Sequence, residues 1–329
     1  MSNWFRAPVA ATLACTALLA NVPVMAQSGT DWPSRTITIV APQPPGGGFD
    51  TVARVLADRM RPILGQSVIV ENRTGAGTRV GTQSAAKAPA DGYTLMIGAL
   101  SNMALNPGLY DNLPYDPIKD FKLVGMAVTW SYTLVARKDL PMKDLKEVIT
   151  YAKANPEKMT YASAGLGSGQ HIASAVMLKL ADAKVTHVPY RGSQDAYQDI
   201  LGGRVDLFFD ISSAAKSQVD AGTVKALAVS SKERQPSHPN VPSVFETGVA
   251  PLDMESWFGL FAPAGTPEPV LVKLRAAMAQ VMAMPDVQEL FAKSGGQIPK
   301  NSAAEQEAKV RGDIERWTKL IREAGVKGD

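Results

Sequence analysis

The sequence repeats one local pattern that few folds can use: a β-branched run, a turn of glycine and proline, then the start of an amphipathic helix. Its first copy runs from Ile37 to Arg61. Thr36-Ile37-Thr38-Ile39-Val40 suits a buried strand, and Val52, Val55, Leu56 and Met60 recur at helical spacing. Between them lies Ala41-Pro42-Gln43-Pro44-Pro45-Gly46-Gly47-Gly48-Phe49-Asp50. Prolines stiffen the strand exit, glycines admit backbone conformations closed to other residues, and Asp50 or Thr51 is placed to cap the helix. This order aims backbone N–H groups and the positive end of the helix dipole at one point, where an anion fits. One such turn is only the connection any α/β protein needs, so its weight rests on repetition.

The pattern does recur. Val68-Ile69-Val70 leads into Glu71-Asn72-Arg73-Thr74-Gly75-Ala76-Gly77-Thr78 and a small-residue helix through about Lys87. Tyr93 to Gly98 is a third strand with Ser101 and Asn102 at its carboxyl end, and Asn106 to Pro117 reads as irregular. Leu123 to Ala136 is β-leaning, interrupted by Thr129-Trp130-Ser131-Tyr132, and is expected to cross into a second lobe. There Met159 to Ser163 runs into Ala164-Gly165-Leu166-Gly167-Ser168-Gly169-Gln170-His171, the strongest repeat of the opening unit. Val185 to Tyr190 ends in Arg191-Gly192-Ser193, and Val205 to Phe209 ends in Asp210-Ile211-Ser212-Ser213. Val224 to Val229 is a further strand, 236–251 a proline-rich return path, and Ser256 to Pro263 an apolar strand before two or three amphipathic helices. Alternating strands and helices imply mostly parallel sheets, with ligands beyond the strands' carboxyl ends. Glycine-lined strand ends fall on both sides of Trp130, so two anion-attracting edges are expected to face each other.

At 329 residues, two lobes fit better than one core. Residues 1–26 read as an export signal: Arg6, an apolar run from Ala7 to Val22, and a cleavage site at Val24-Met25-Ala26. Cys15, the only cysteine, falls inside it, so the mature chain is expected to have no disulfide and no thiol nucleophile. No later stretch has the apolar length of a spanning helix. A net charge of +3 from scattered residues, with no basic run, gives nucleic-acid binding no support. The three histidines, His171, His187 and His238, are without H-E-x-x-H spacing or cysteine partners, so no metal site is expected, and no phosphate-loop motif suggests a nucleotide cofactor. Ser168, His171 and Asp210 are the residue types of a hydrolytic triad, but Gly165-Leu166-Gly167-Ser168-Gly169 lacks the nucleophile elbow and Ser168 and His171 share one helical turn, so no catalysis is expected.

The motifs fall in a familiar order. Pro45-Gly46-Gly47, Asp50 and Val52-Ala53-Arg54 resemble a P-G-G-x-x-D-x-x-A-R signature, continued by Val70-Glu71-Asn72-Arg73, Gly75-Ala76-Gly77, Asp91-Gly92-Tyr93-Thr94-Leu95 and Leu113-Pro114-Tyr115-Asp116-Pro117. Tyr161-Ala162-Ser163-Ala164-Gly165, Gly167-Ser168, His171, Val188-Pro189-Tyr190-Arg191-Gly192, Leu201-Gly202-Gly203 and Ser256-Trp257-Phe258-Gly259 follow. Over nearly the whole mature chain this is similar to the substrate-binding proteins of tripartite tricarboxylate transporters, the Bordetella uptake gene family.

The resemblance implies a periplasmic α/β binding protein of two lobes, each a mostly parallel sheet flanked by helices, with the ligand cleft between them. Lobe 1 would comprise 27–129 and 253–329, and lobe 2 residues 130–252. It implies a monomer without cofactor that closes on a small carboxylate, aromatic or dicarboxylic, and delivers it to a membrane permease; a sensor read by a membrane kinase is the alternative. By position, the carboxylate would meet Pro44, Pro45, Gly46, Gly47, Phe49, Thr78, Ser101 and Asn102 from one lobe. Ser163, Ala164, Gly165, Gly167 and Ser168 would meet it from the other, with Asp210 facing the rest of the ligand; His171 would hydrogen-bond the loop from the helix start or else touch the ligand, and Arg191 would contact the ligand or form a surface salt bridge. Phe49, Trp130 and Tyr132 depart from the family's usual residues, and aromatics there would favour a flat or apolar ligand body.

Overall fold

In a computed structural model the described residues are Met1 and 32–328; the expected signal segment beyond Met1, with Cys15, lies outside them. The first unit is β1 (Ile37–Ala41), α1 (Gly48–Leu64), β2 (Val68–Asn72), α2 (Arg79–Ala86) and β3 (Thr94–Ala99). A π-helical turn, Leu100–Leu105, and a short α3 (Asn106–Leu109) then lead to β4 (Phe121–Arg137). Beyond it come α4 (Leu145–Ala154), β5 (Thr160–Ser163), α5 (Gly169–Leu180), β6 (Thr186–Pro189), α6 (Ser193–Leu201), β7 (Leu207–Ile211), α7 (Ser212–Asp220) and β8 (Val224–Val229). The chain returns through β9 (Glu255–Pro263) and ends in α8 (Glu268–Ala283), α9 (Pro285–Lys293) and α10 (Ala303–Ala324).

The strands join in the order β2-β1-β3-β9-β4-β7-β5-β6, with β8 also on β4. β4 organises this sheet. Its residues Phe121 to Ser131 pair with β9, and from Tyr132 onward it pairs with β7 and β8. Where the sequence suggests an interruption at 129–132, the strand runs straight through, because Trp130, Ser131 and Tyr132 are all buried and pair without a break. The sheets are also mixed: β1-β2, β1-β3, β5-β6 and β5-β7 are parallel, whereas every partner of β4 is antiparallel to it. Ser230 fastens the return path to this crossing. Its hydroxyl donates to Met254 O (2.6 Å) and accepts from Tyr132 N (2.9 Å).

Strand alternation builds two layers of core. Ile37, Ile39, Leu95 and Ile97 face α1, α8 and α9, while Val40 and Met96 face the opposite cluster with Met103, Trp257 and Trp317. That second cluster also takes in Ala173, Val176 and Met177 of α5, so α10 seals both halves of the sheet. The segment expected to be irregular from Asn106 opens as helix because Asn102 Oδ1 accepts from Ala99 N (2.7 Å) and the Asn106 amide donates to Tyr115 Oη (2.9 Å). Among the described residues, no helix is long and apolar enough to cross a membrane.

Trp257, fully buried on β9, donates its indole N–H to Asp313 Oδ2 of α10 at 2.8 Å. Trp257→Phe removes a charge-assisted bond and should lower stability by ~2 kcal/mol. In urea the midpoint should fall with the slope unchanged.

Candidate functional site

Five helices begin at the wall of one cleft. The N-cap residues of α1 (Gly47), α2 (Thr78), α5 (Ser168), α6 (Gly192) and α7 (Ile211) all line a cavity of ≈ 530 Å³. Ser168 caps its own helix, its Oγ accepting from His171 N at 3.2 Å, and no side chain caps the other four. In α2 the first amides are turned inward, onto Ala76 O and Gly75 O. Elsewhere the arrangement concentrates helix-dipole potential and first-turn N–H groups on a shared space. Arg191 is the one charged side chain among the described lining residues. A field this positive, with no carboxylate in the wall, suits an anion.

A larger groove, ≈ 750 Å³, lies at the opposite ends of β5 and β7, near Arg137 and Met142. Asp144, Glu147 and Asp206 line it together with Arg137, Lys146 and Lys158, and the start of α4 there is already capped by the Asp144 carboxylate. The cleft differs from this groove in having no acidic side chain among its described lining residues and several helix starts without a side-chain cap.

The first glycine turn is held from behind by Asp50. It is the third residue of the helix, not its cap, and its Oδ2 accepts from Gly46 N (2.9 Å) and Arg54 Nε (2.9 Å) while Oδ1 accepts from Asn72 Nδ2 (3.0 Å). The Asn72 amide also reaches Gln43 O at 2.9 Å, so strand end, turn and helix form one network. Gly46 takes φ +87°, a conformation that side chains disfavour. The Arg54 hydrogen bond, with those from Gly46 and Asn72, outweighs burial and brings the Asp50 carboxyl down to about 2.

The second turn is held by Ser163. Its Oγ accepts from Gly165 N (3.2 Å) and lies 2.7 Å from His187 Nε2. Ser168 Oγ donates to Gly165 O at 2.7 Å, and Gly167 N donates to His171 Nδ1 at 3.2 Å. Gly169 cannot carry a side chain, since a Cβ there would lie 1.9 Å from the Tyr132 hydroxyl.

Of the residues expected from sequence, Pro44, Gly47, Phe49, Thr78, Ser101, Ala164, Ser168 and Arg191 line the cleft. The remainder stand behind it. Pro45, Gly46, Gly165 and Gly167 shape the turns without lining the cavity, and Ser163 and His171 brace them. Asn102 is fully buried, its side chain spent on Ala99 N and on Thr82 Oγ1 (3.0 Å). Trp130 is a second-layer ring: it meets Phe258 and Phe291 edge-on at 5.3 and 5.9 Å and donates to Ser294 O. Asp210 is 1 % exposed and does not line the cavity. Its Oδ1 accepts from Ser193 Oγ (2.8 Å) and Ile211 N (2.9 Å), and burial raises its pKa. Ser168, His171 and Asp210 form no relay, since each is committed to a different partner.

Sequence reasoning missed Gln43, Gln170, Gly192, Ile211, Ser256 and Phe258, all of which line the cleft, and left Tyr132, which also does, undecided. A helix-start rule applied at every strand end would have found Gly192 and Ile211. Phe258 arrives through β9, and only the Cβ-free Gly48, where an added carbon would sit 2.9 Å from its ring, leaves it room. With Phe49, 5.2 Å away edge-on, it forms an aromatic wall beside the polar turns.

Comparison with known proteins settles the family. The family model described as the tripartite tricarboxylate transporter family receptor matches residues 52–326. The chain belongs to that family. BugT of Bordetella pertussis is 33% identical over 301 residues, 91% of this chain and 92% of that protein. The structure of MatC from Rhodopseudomonas palustris with bound malate matches at 34% identity and TM-score 0.79, covering 88% of this chain and 100% of that one. A second R. palustris structure, with adipate, matches at 32% identity and TM-score 0.80, covering 90% and 99%. The chain thus has the fold of a periplasmic solute receptor, in a family whose members bind solutes and do not turn them over.

Acid should loosen the first turn. Because the folded state lowers the Asp50 pKa, its contribution is complete above about 4 and lost as pH falls toward about 2. Urea midpoints measured from pH 5 to pH 2 should fall more steeply for the wild type than for Asp50→Asn.

Proposed function

We propose that this receptor binds one small carboxylate in the cleft and delivers it to a tripartite tricarboxylate-type membrane permease. The carrying observation is the convergence of helix N-termini with Arg191 on a cavity that has no acidic side chain among its described lining residues. The carboxylate lies among the turns at Gly47, Ser168 and Gly192, with Arg191 closing over it from the rim. Its body lies against Phe49, Phe258 and Tyr132. The relatives solved with malate and adipate support a dicarboxylate of four to six carbons, and the aromatic wall supports a ligand with an apolar or flat middle.

Lobe 1 in this reading is 27–129 with 253–329, and lobe 2 is 130–252. Two observations support it: β4 changes partner between Ser131 and Tyr132, and Ser230 joins this point to the returning chain at Met254. The two lobes close by flexing there, which brings the turns at 44–49 and 164–169 onto the same ligand.

Thermal-shift screening of mono- and dicarboxylates, with calorimetry on hits, tests this. A ligand at a hundred times its dissociation constant should stabilise the protein by ~2.7 kcal/mol. Arg191→Ala should weaken every carboxylate about tenfold, the equivalent of one charge-assisted hydrogen bond. Phe49→Ala should reorder preference among carboxylates. Binding of neutral amides as tightly as their parent acids would overturn the assignment.

A further inference from the structure

Three rings are stacked behind the second glycine turn. Tyr161 of β5 lies 4.8 Å from His187 of β6, and His187 lies 4.1 Å from His171 of α5, with the two imidazole planes within 8° of parallel. Both imidazoles reach the turn. His171 Nδ1 accepts from Gly167 N at 3.2 Å, and His187 Nε2 sits 2.7 Å from Ser163 Oγ, the atom that in turn accepts from Gly165 N. The two ends of the 163–168 turn therefore rest on two rings that rest on each other.

We propose that His171 and His187 are positioning residues for anion binding: as a neutral stacked pair they hold the turn so that the start of α5 faces the ligand, and protonating the pair releases turn and carboxylate together. This rests on the carboxylate reading of the cleft.

The chemistry is one-sided. A backbone N–H can be accepted only by an unprotonated ring nitrogen, so His171 must be the tautomer with its hydrogen on Nε2. Protonated, it turns an N–H toward the Gly167 N–H, and the bond is lost. Ser163 can keep His187 in either state, so His171 is the sensitive member. Rings this close cannot both take a charge at ordinary cost, and the pair titrates as a unit. Burial, then the neighbouring His187, brings His171 down to about 4, and burial lowers His187 as well. From β5 the facing titratable group is Tyr161, and from β6 it is His187. On β7, Asp210 is engaged by Ser193, Gln170 and Ile211, and on α10, Asp313 is held by Trp257 and Lys309. Among the described residues no carboxylate is thus paired with either imidazole to hold a proton on it. The neutral pair is favoured in the fold, so its contribution to stability is complete above about 6.5 and declines as pH falls toward about 4, whereas binding by the folded receptor falls only as His171 itself takes up a proton, near about 4.

The test uses the full mature receptor and malate as the probe. Nuclear magnetic resonance of the unliganded protein should show both imidazoles titrating below the range of a free imidazole, with the Gly167 amide moving in step with His171. His171→Phe keeps a ring in the stack and removes the acceptor. It should stay folded, bind malate about tenfold more weakly at pH 7, and lose the pH-dependence of the Gly167 amide. His171→Gln, which returns a carbonyl acceptor, should recover part of the affinity without the acid transition. A folded His171→Phe that binds malate like the wild type, or a wild-type Gly167 amide indifferent to pH from 7 to 4, would overturn the positioning role. Failure of the wild type to bind any carboxylate would instead overturn the receptor reading, and the titration of the unliganded protein would still decide the link between His171 and the turn.

Discussion

Backbone amides at the start of a helix must find acceptors, and in this molecule several such starts share one space. Gly47, Ser168, Gly192 and Ile211 stand at the ends of βα units from opposite halves of the sheet, yet all line one cavity. β4 makes this possible. By pairing with β9 along one stretch and with β7 and β8 along the next, it fixes both halves to one strand and sets their carboxyl ends across from each other. A cleft built in this way needs few charged side chains, because oriented peptide groups supply the potential and cost little reorganisation when a ligand arrives.

The groups that give the cleft its shape mostly stand outside it. Asp50 with Asn72 and Arg54 hold one turn, Ser163 with the two stacked histidines holds the other, and Asn102 fixes the exit from β3. These side chains are buried or partly buried and already bonded, so they are poor candidates for direct contact and good ones for rigidity. The wall itself is mostly glycine, serine and aromatic carbon, with Arg191 its one charged side chain among the described residues. Such a wall constrains the charge of a ligand more tightly than the body behind it.

Much of this was legible in the chain. The alternation of β-branched runs with glycine turns located the strands and helix starts, and the ordered motifs named the family that the comparisons then bore out. The site was harder to read. Asn102, Trp130 and Asp210 have the residue types of ligand contacts, but their hydrogen bonds and ring contacts turn them into the core, and whether a side chain points forward or backward from a strand end depends on packing that no local pattern encodes. Phe258 was missed for the complementary reason. It reaches the cleft only because β9, distant in sequence, inserts between β3 and β4. The break read at 129–132 was wrong because aromatic and hydroxyl residues continue a strand perfectly well when both faces are covered.

The most direct measurement is amide chemical-shift mapping of the protein titrated with malate. The account predicts that the amides of Gly48, Gly169, Ser193 and Ser212 shift together and saturate with a single dissociation constant, and that the corresponding diamide leaves them in place. Saturable shifts confined to the groove around Met142 and Tyr151, with those four amides still, would contradict it.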